Sequence, residues 1–195
     1  MSKIFIVMGK SATGKDTIFK EIMKRLREQL NTVILYTTRP IRTGETEGVE
    51  YHFVTREERD RLKKQGKIIE ERVYHTVLGD WFYFTADDGQ IDLSKQSYIM
   101  ISTLEGYESL VKYFGREQVV PIYIEVEDGE RLQRALSREM SQASPKYEEM
   151  CRRFLADQDD FKEENLKRLQ IDKRYSNYDK EQCINDILSD IEPLI

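Results

Sequence analysis

Seven consecutive residues, Gly9-Lys10-Ser11-Ala12-Thr13-Gly14-Lys15, put two glycines five positions apart with a lysine directly after the second. This is the G-x-x-x-x-G-K spacing of a phosphate-binding loop. Its glycines let successive backbone N–H groups turn inward on an anion, and its lysine reaches the terminal phosphates of a triphosphate. A helix starting at that point would add the positive end of its dipole. The next residue is Asp16, where this pattern normally has a hydroxyl for magnesium, and Thr17 follows. A carboxylate can ligate Mg²⁺, so Asp16 and Thr17 are the candidate metal ligands.

A second anion-binding arrangement lies at Thr37-Thr38-Arg39-Pro40-Ile41-Arg42-Thr43-Gly44-Glu45. Arg39 and Arg42, three apart in a turn, can bring two planar guanidinium forks onto one phosphate, and Tyr51 can add a phenolic donor. Further along, Arg131, Arg134 and Arg138 fall at offsets of three and four, the spacing of one helical face. Two cysteines, Cys151 and Cys183, lack metal-ligand spacing. With only 2 histidines in the chain a zinc site is not expected, and both read as free thiols.

The elements that must hold these groups follow from hydrophobic spacing. Ile4 to Met8 is a continuous apolar run suited to a strand buried on both faces. Ile18, Phe19, Ile22, Met23, Leu26 and Leu30 predict a helix that Asn31 ends. Val33 to Tyr36 predicts the next strand, and so a parallel βαβ unit with a right-handed crossover. From Thr37 to about Asp88, glycines among short alternating segments predict an inserted, strand-rich lobe. A strand over Tyr98–Ile101, a helix over Leu104–Phe114 and a strand over Val119–Val126 resume the core. Pro121 is best placed near an edge or the strand start. Helices are predicted over Glu130–Met140, from Lys146 to about Leu166, and around Ile184–Ile191, with Ser141–Pro145 as a joint.

The 195 residues carry 31 Lys+Arg against 36 Asp+Glu, a net charge of −5. That balance argues against coating a nucleic-acid polymer or an anionic membrane. The apolar run at Ile4–Met8 is far too short for a secretory signal, and no stretch approaches the roughly 20 residues a bilayer span needs, so a cytoplasmic protein is expected.

The segment Thr37 to Glu45, followed by Gly48-Val49-Glu50-Tyr51-His52-Phe53-Val54, resembles the guanylate kinase family (T-T-R-x-x-R-x-G-E, then G-x-x-Y-x-F-V), at that family's distance from a phosphate loop. The resemblance extends over most of the chain. It implies an α/β P-loop three-layer sandwich with a parallel sheet, forming one domain. The core would comprise about 1–36, 89–128 and 167–195, with a GMP-binding lobe at about 37–88 and a helical lid at about 129–166.

It further implies that Gly9 to Thr17 hold ATP and Mg²⁺, with Asn177 near the adenine. Arg39, Arg42 and Tyr51 would grip the monophosphate of GMP, and Glu70 would read guanine. Lys15, Arg134, Arg138 and Arg153 would neutralise the phosphoryl group in transfer. Where the family has a tyrosine-glycine-serine or -threonine turn, this chain has Tyr83-Phe84-Thr85, so Tyr83 and Thr85 are the candidates there and Phe84 is expected to alter the turn. Aspartates common in the family near Ile101 and Thr103 are missing, and Thr103 and Glu105 are the candidate substitutes. Three functions remain open: an ATP-dependent GMP kinase, monomeric or homodimeric; a kinase for another small phosphorylated acceptor; and a non-catalytic binding module.

Overall fold

The computed structural model describes residues 2–76 and 79–195. In chain order the elements are β1 (Ile4–Met8), α1 (Lys15–Arg25), β2 (Leu30–Thr32), β3 (Tyr36–Thr37), β4 (His52–Phe53), α2 (Arg56–Lys64), β5 (Ile68–Thr76), β6 (Gly79–Ala86), β7 (Ser97–Ile101) and α3 (Leu104–Phe114). There follow β8 (Val119–Glu125), α4 (Asp128–Met140), α5 (Tyr147–Asp160), α6 (Glu163–Arg168), β9 (Arg174–Ser176) and α7 (Lys180–Ile191).

The principal sheet is parallel, in the order β2-β7-β1-β8-β9. Strand β1 is wholly buried, and its alternate residues feed two cores. Ile4, Ile6 and Met8 pack with Leu104, Tyr107 and Leu110 of α3, while Phe5 and Val7 pack with Ile18 and Ile22 of α1 and with Ile184 and Ile187 of α7. A central sheet with helices on both faces is the expected three-layer sandwich.

Several boundaries differ from those the sequence predicts. Helix α1 ends at Arg25, not near Asn31, and residues 26–29 form a turn in which Gln29 and Leu30 donate to the Leu26 carbonyl. Leu26 and Leu30 continue the apolar period because both enter the same core as Ile18 and Ile22, one from the turn and one from β2. The second strand is therefore Leu30–Thr32, and β7 lies between it and β1. Residues 33–35 pass between sheets, with both backbone groups of Ile34 bonded to the Gln90 side-chain amide. The predicted helix from Lys146 to Leu166 is two helices, parted so that Phe161 and Leu166 both sink into the core.

Pro121 lies in an inner strand but is locally unpaired on one side. Ile4 donates to the Gln118 carbonyl, so even-numbered residues of β8 face β1, and Pro121 faces the flank where β9 pairs only from Tyr123 onward.

The second sheet has the order β4-β3-β6-β5, with β5 and β6 a long antiparallel pair. Its core is small, built on Leu62, Phe84 and Ala86. Leu62 comes from α2, a helix hidden from pattern reading because eight of its nine residues are polar, although Thr55 caps it by accepting from the Glu58 N–H at 3.1 Å.

Phe84 is fully buried here, and its truncation leaves a cavity that Leu62 and Ala86 cannot refill. Phe84→Ala is expected to destabilise the protein by about 3–5 kcal/mol, read as a lower urea midpoint at unchanged m.

Candidate functional site

The phosphate loop leaves the carboxyl end of β1, beside that of the parallel β7, where ligands of open α/β sheets bind, whereas the Arg39–Arg42 segment follows β3 of the second sheet. Strand β1 runs into the 9–15 loop. Neighbouring β7 runs into Ser102 and Thr103, with the Ser102 N–H donating to the Val7 carbonyl at 3.2 Å.

The loop conformation requires its glycines. Gly14 has φ of 85°, and a Cβ there would lie 2.5 Å from the Asn177 Nδ2; at Gly9 a Cβ would lie 2.5 Å from the Ile124 carbonyl oxygen. Ala12 also takes a left-handed φ of 64°. Lys15 opens α1, its ammonium 3.6 Å from the exposed Asp16 carboxylate, and Thr17 lies exposed in the same first turn. Thr13 is buried, its hydroxyl donating to the Lys10 carbonyl at 2.9 Å. The Asn177 amide donates to the Thr13 carbonyl at 2.6 Å, so this side chain, expected near the adenine, braces the loop.

Helices α4 and α5 grip the loop from the other side. The Asp157 carboxylate accepts the Ser11 N–H at 2.7 Å, and Arg131 donates to the Ser11 carbonyl at 2.9 Å. Arg131 also bonds Asp128 at 2.7 Å, its side chain only 1% exposed and its guanidinium over the Phe154 ring. Lys10 donates to Gln158 at 2.7 Å, and Gln158 in turn to Asp128 at 2.7 Å. Burial works against the charged Asp128 carboxylate, but the bonds from Arg131 and Gln158 outweigh it and hold its pKa below the usual range.

The three arginines of α4 thus divide. Arg131 is a buried brace. Arg134 is committed to Glu130 at 2.9 Å and to the Asn177 carbonyl at 3.1 Å. Arg138 is exposed and shares a hollow of 200 Å³ with Ser11, Lys146 and Arg153, whose guanidinium donates to the Ser11 hydroxyl at 3.2 Å.

On the second sheet, Arg39, Tyr51 and Tyr83 cluster. Arg39 lies about evenly over the Tyr51 and Phe53 rings, donates to the Tyr83 hydroxyl at 3.1 Å, and forms a two-pronged pair with Glu45 at 2.7 and 2.5 Å. The Arg39 hydrogen bond leads in pulling the Glu45 carboxyl down to about 2. Glu45 also accepts the Arg42 N–H at 2.8 Å, so it ties both arginines into one turn while the Arg42 side chain stays exposed. Sequence reading placed the two arginines but passed over Glu45 as the residue that orders them.

The stretch expected to form an altered turn at Phe84 is continuous strand. Alternation sends Tyr83 and Thr85 to one face and Phe84 to the lobe core. Thr85 donates to Glu70 Oε1 at 2.8 Å across the β5–β6 pair. Glu70 is buried, and its desolvation pushes the carboxyl above the ordinary range, with Arg72 and the Thr85 bond pulling back. Thr103 caps α3, accepting from the Gly106 N–H at 3.2 Å, and lines a hollow of 560 Å³ together with Arg72, Tyr74, Glu105, Asp160 and Arg168. Arg72 and Asp157 were not singled out in the sequence; the period-two spacing from Glu70 and the four-residue spacing from Arg153 were the available signals.

Among the described residues no group of three or more His, Cys, Asp or Glu is placed to hold a metal by protein ligands alone, and no helix is long and apolar enough to cross a membrane. The exposed Asp16 carboxylate and Thr17 hydroxyl do fit a Mg²⁺ that takes its remaining ligands from water and phosphate.

Comparison with known proteins places this geometry. The guanylate kinase family model matches residues 1–170. Guanylate kinase of Chlorobaculum tepidum is 31% identical over 144 residues, 73% of this chain and 71% of the relative. That of Neisseria gonorrhoeae is 35% identical over 102 residues, covering 52% and 47%, and that of Schizosaccharomyces pombe 39% over 72 residues, covering 37% and 36%. The crystal structure of guanylate kinase from Anaplasma phagocytophilum shares the fold, with a TM-score of 0.60 at 24% identity over 98% of this chain and 85% of that one.

The brace between α4 and the loop has a measurable consequence. Arg131→Met leaves Asp128 and the half-buried Asp157 without this cation and frees the Ser11 carbonyl. The expected result is a fall of several degrees in thermal midpoint together with about tenfold weaker ATP binding by calorimetry.

Proposed function

Because the chain belongs to the guanylate kinase family, we propose that it transfers the γ-phosphoryl group of ATP to GMP, giving ADP and GDP. The observation that carries this reading is a buried carboxylate, Glu70, bonded to Thr85 on the inserted sheet and lying near Gly106 just beyond β7, the strand beside the one that feeds the phosphate loop. Guanine offers a ring N–H and an exocyclic amine on one edge, which one ionised carboxylate can accept together. Adenine presents an acceptor in place of that ring N–H.

The acceptor phosphate is already anionic, so no general base is required, and the work is positioning and charge neutralisation. Gly9 to Lys15 present amides and an ammonium to the donor phosphates. Arg39 and Arg42, ordered by Glu45, and Tyr51 hold the acceptor phosphate. The monophosphate competes with Glu45 for the Arg39 fork, which is fully engaged in the free protein. Arg138 and Arg153 line the hollow beside Ser11 and are available to the loop, whereas Arg134 must release Glu130 to join them. Mg²⁺ at Asp16 and Thr17 would supply charge neutralisation at the donor phosphate oxygens. The Asp157 carboxylate on the Ser11 amide gives way when a phosphate oxygen takes that N–H, which couples donor binding to the seating of α5.

Two substitutions separate the halves of the site. Lys15→Ala is expected to lower kcat by about 10²–10³-fold with every acceptor, in a coupled ADP assay. Glu70→Gln is expected to lower kcat/KM for GMP about 10²-fold while leaving ATP affinity unchanged. An equal loss on both substrates would remove Glu70 from base reading.

A further inference from the structure

Beside the acceptor site is a group that the transfer reaction does not use. Arg72 lies two residues from Glu70 on β5, on the same face of the strand, its Nε 3.4 Å from Glu70 Oε2. The two are close enough to attract, yet neither atom makes a hydrogen bond, and both are buried, as is the unpartnered Ser102 hydroxyl. Glu70 Oε2 and Ser102 Oγ meet at Gly106, where a Cβ would collide with the hydroxyl and lie 3.4 Å from the carboxylate. The Glu70 side chain is 1% exposed, whereas that of Arg72 is 19% exposed and lines the 560 Å³ hollow. Arg72 therefore stands between the buried carboxylate and the space beside it.

The charge on Glu70 decides what that carboxylate can recognise. Ionised, it offers two acceptors, the complement of the N1–H and N2–H₂ edge of guanine. Protonated, it offers one donor and one acceptor, the complement of N1 and N6–H₂ of adenine. Thr85 adds a hydrogen bond to Oε1, and Glu105 from the first turn of α3 opposes ionisation. Across the hollow stand Asp160 of α5, and Glu108 of α3 paired with Arg168 of α6 at 2.9 Å, so that cation is already matched. Glu71, on the opposite face of β5, is paired with Arg59 and Lys63. Among the described residues, Arg72 is thus the cation left to favour the charged form of Glu70, and a nearby opposite charge favours ionisation against burial.

We infer that Arg72 is the specificity-determining positioning residue of the acceptor pocket: its guanidinium sets whether Glu70 is presented to the base as two acceptors or as one donor and one acceptor, and so whether guanine or adenine is preferred. This rests on the reading of Glu70 as the base-recognition residue.

The test measures kcat/KM for GMP and for AMP between pH 5.5 and 8.5 in the wild type, Arg72→Gln and Arg72→Lys, with the Glu70 carboxyl titrated by ¹³C NMR in the same proteins without nucleotide. Arg72→Gln is expected to move the carboxyl titration up by about one pH unit, a tenfold change in its ionisation. GMP activity at the acid end of the range should then fall, by up to about tenfold, and recover toward pH 8.5, while the AMP-to-GMP ratio rises at low pH; Arg72→Lys, which keeps the charge, should restore most of the difference. A titration unmoved by Arg72→Gln overturns the inference whatever the activity. So does a pH-independent loss shared by both nucleotides, which marks Arg72 as structural, or a gain with GMP, which marks it as a plug. A carboxyl that shifts as expected in a protein whose wild type is inert toward GMP leaves the electrostatic role standing and removes the GMP reading instead.

Discussion

A parallel strand buried on both faces must hand its chain to a helix through a turn whose amides the sheet cannot satisfy. In this protein that turn is the loop from Gly9 to Lys15, and side chains from three distant elements bond its free N–H and C=O groups. Asp157 takes the Ser11 amide, Arg131 takes the Ser11 carbonyl and Asn177 takes the Thr13 carbonyl. These braces come from α5, α4 and the segment after β9, so the elements last in sequence hold the first functional loop in shape.

The same economy of partners governs the inserted sheet. Arg39 is almost completely buried and would be costly there alone, and Glu45 matches its fork geometry and satisfies both terminal nitrogens. Glu70 has half of this arrangement: Thr85 bonds one oxygen, and the other faces Arg72 without a bond. On the proposed reading, a monophosphate would meet a cation already held in a matched pair, and a base a carboxylate held in a partly matched one. Binding at the first would exchange one anion for another, while binding at the second would satisfy a group that folding left incomplete.

Much of this was legible from residue types and spacing. The phosphate loop, both flanking elements and the Arg39–Arg42 turn follow from local patterns, because glycine conformation, helical periodicity and a two-sided apolar strand are properties of short segments, whereas the three-layer architecture came from the family resemblance. Misplaced boundaries arose where residues entered one core by different routes. Leu26 and Leu30 share a core with α1 without being helical, and Phe161 and Leu166 share one across a break. Helix α2 and strand β9 escaped notice because each buries a single apolar side chain, Leu62 and Tyr175, and carries no periodic signal.

By itself, then, the order of residues determined where backbone amides would be free to meet a phosphate and which arginines stood close enough along the chain to act together, since both depend on neighbours within a few positions. Only the tertiary structure decided which cations are free. Arg131 and Arg138 look alike on a helical wheel, yet one is locked between Asp128 and Asp157 and the other is open beside Ser11. It also decided that, among the described residues, Arg72 meets no carboxylate closer than Glu70, because which groups face a strand and how deeply they are buried are set by segments far apart in sequence.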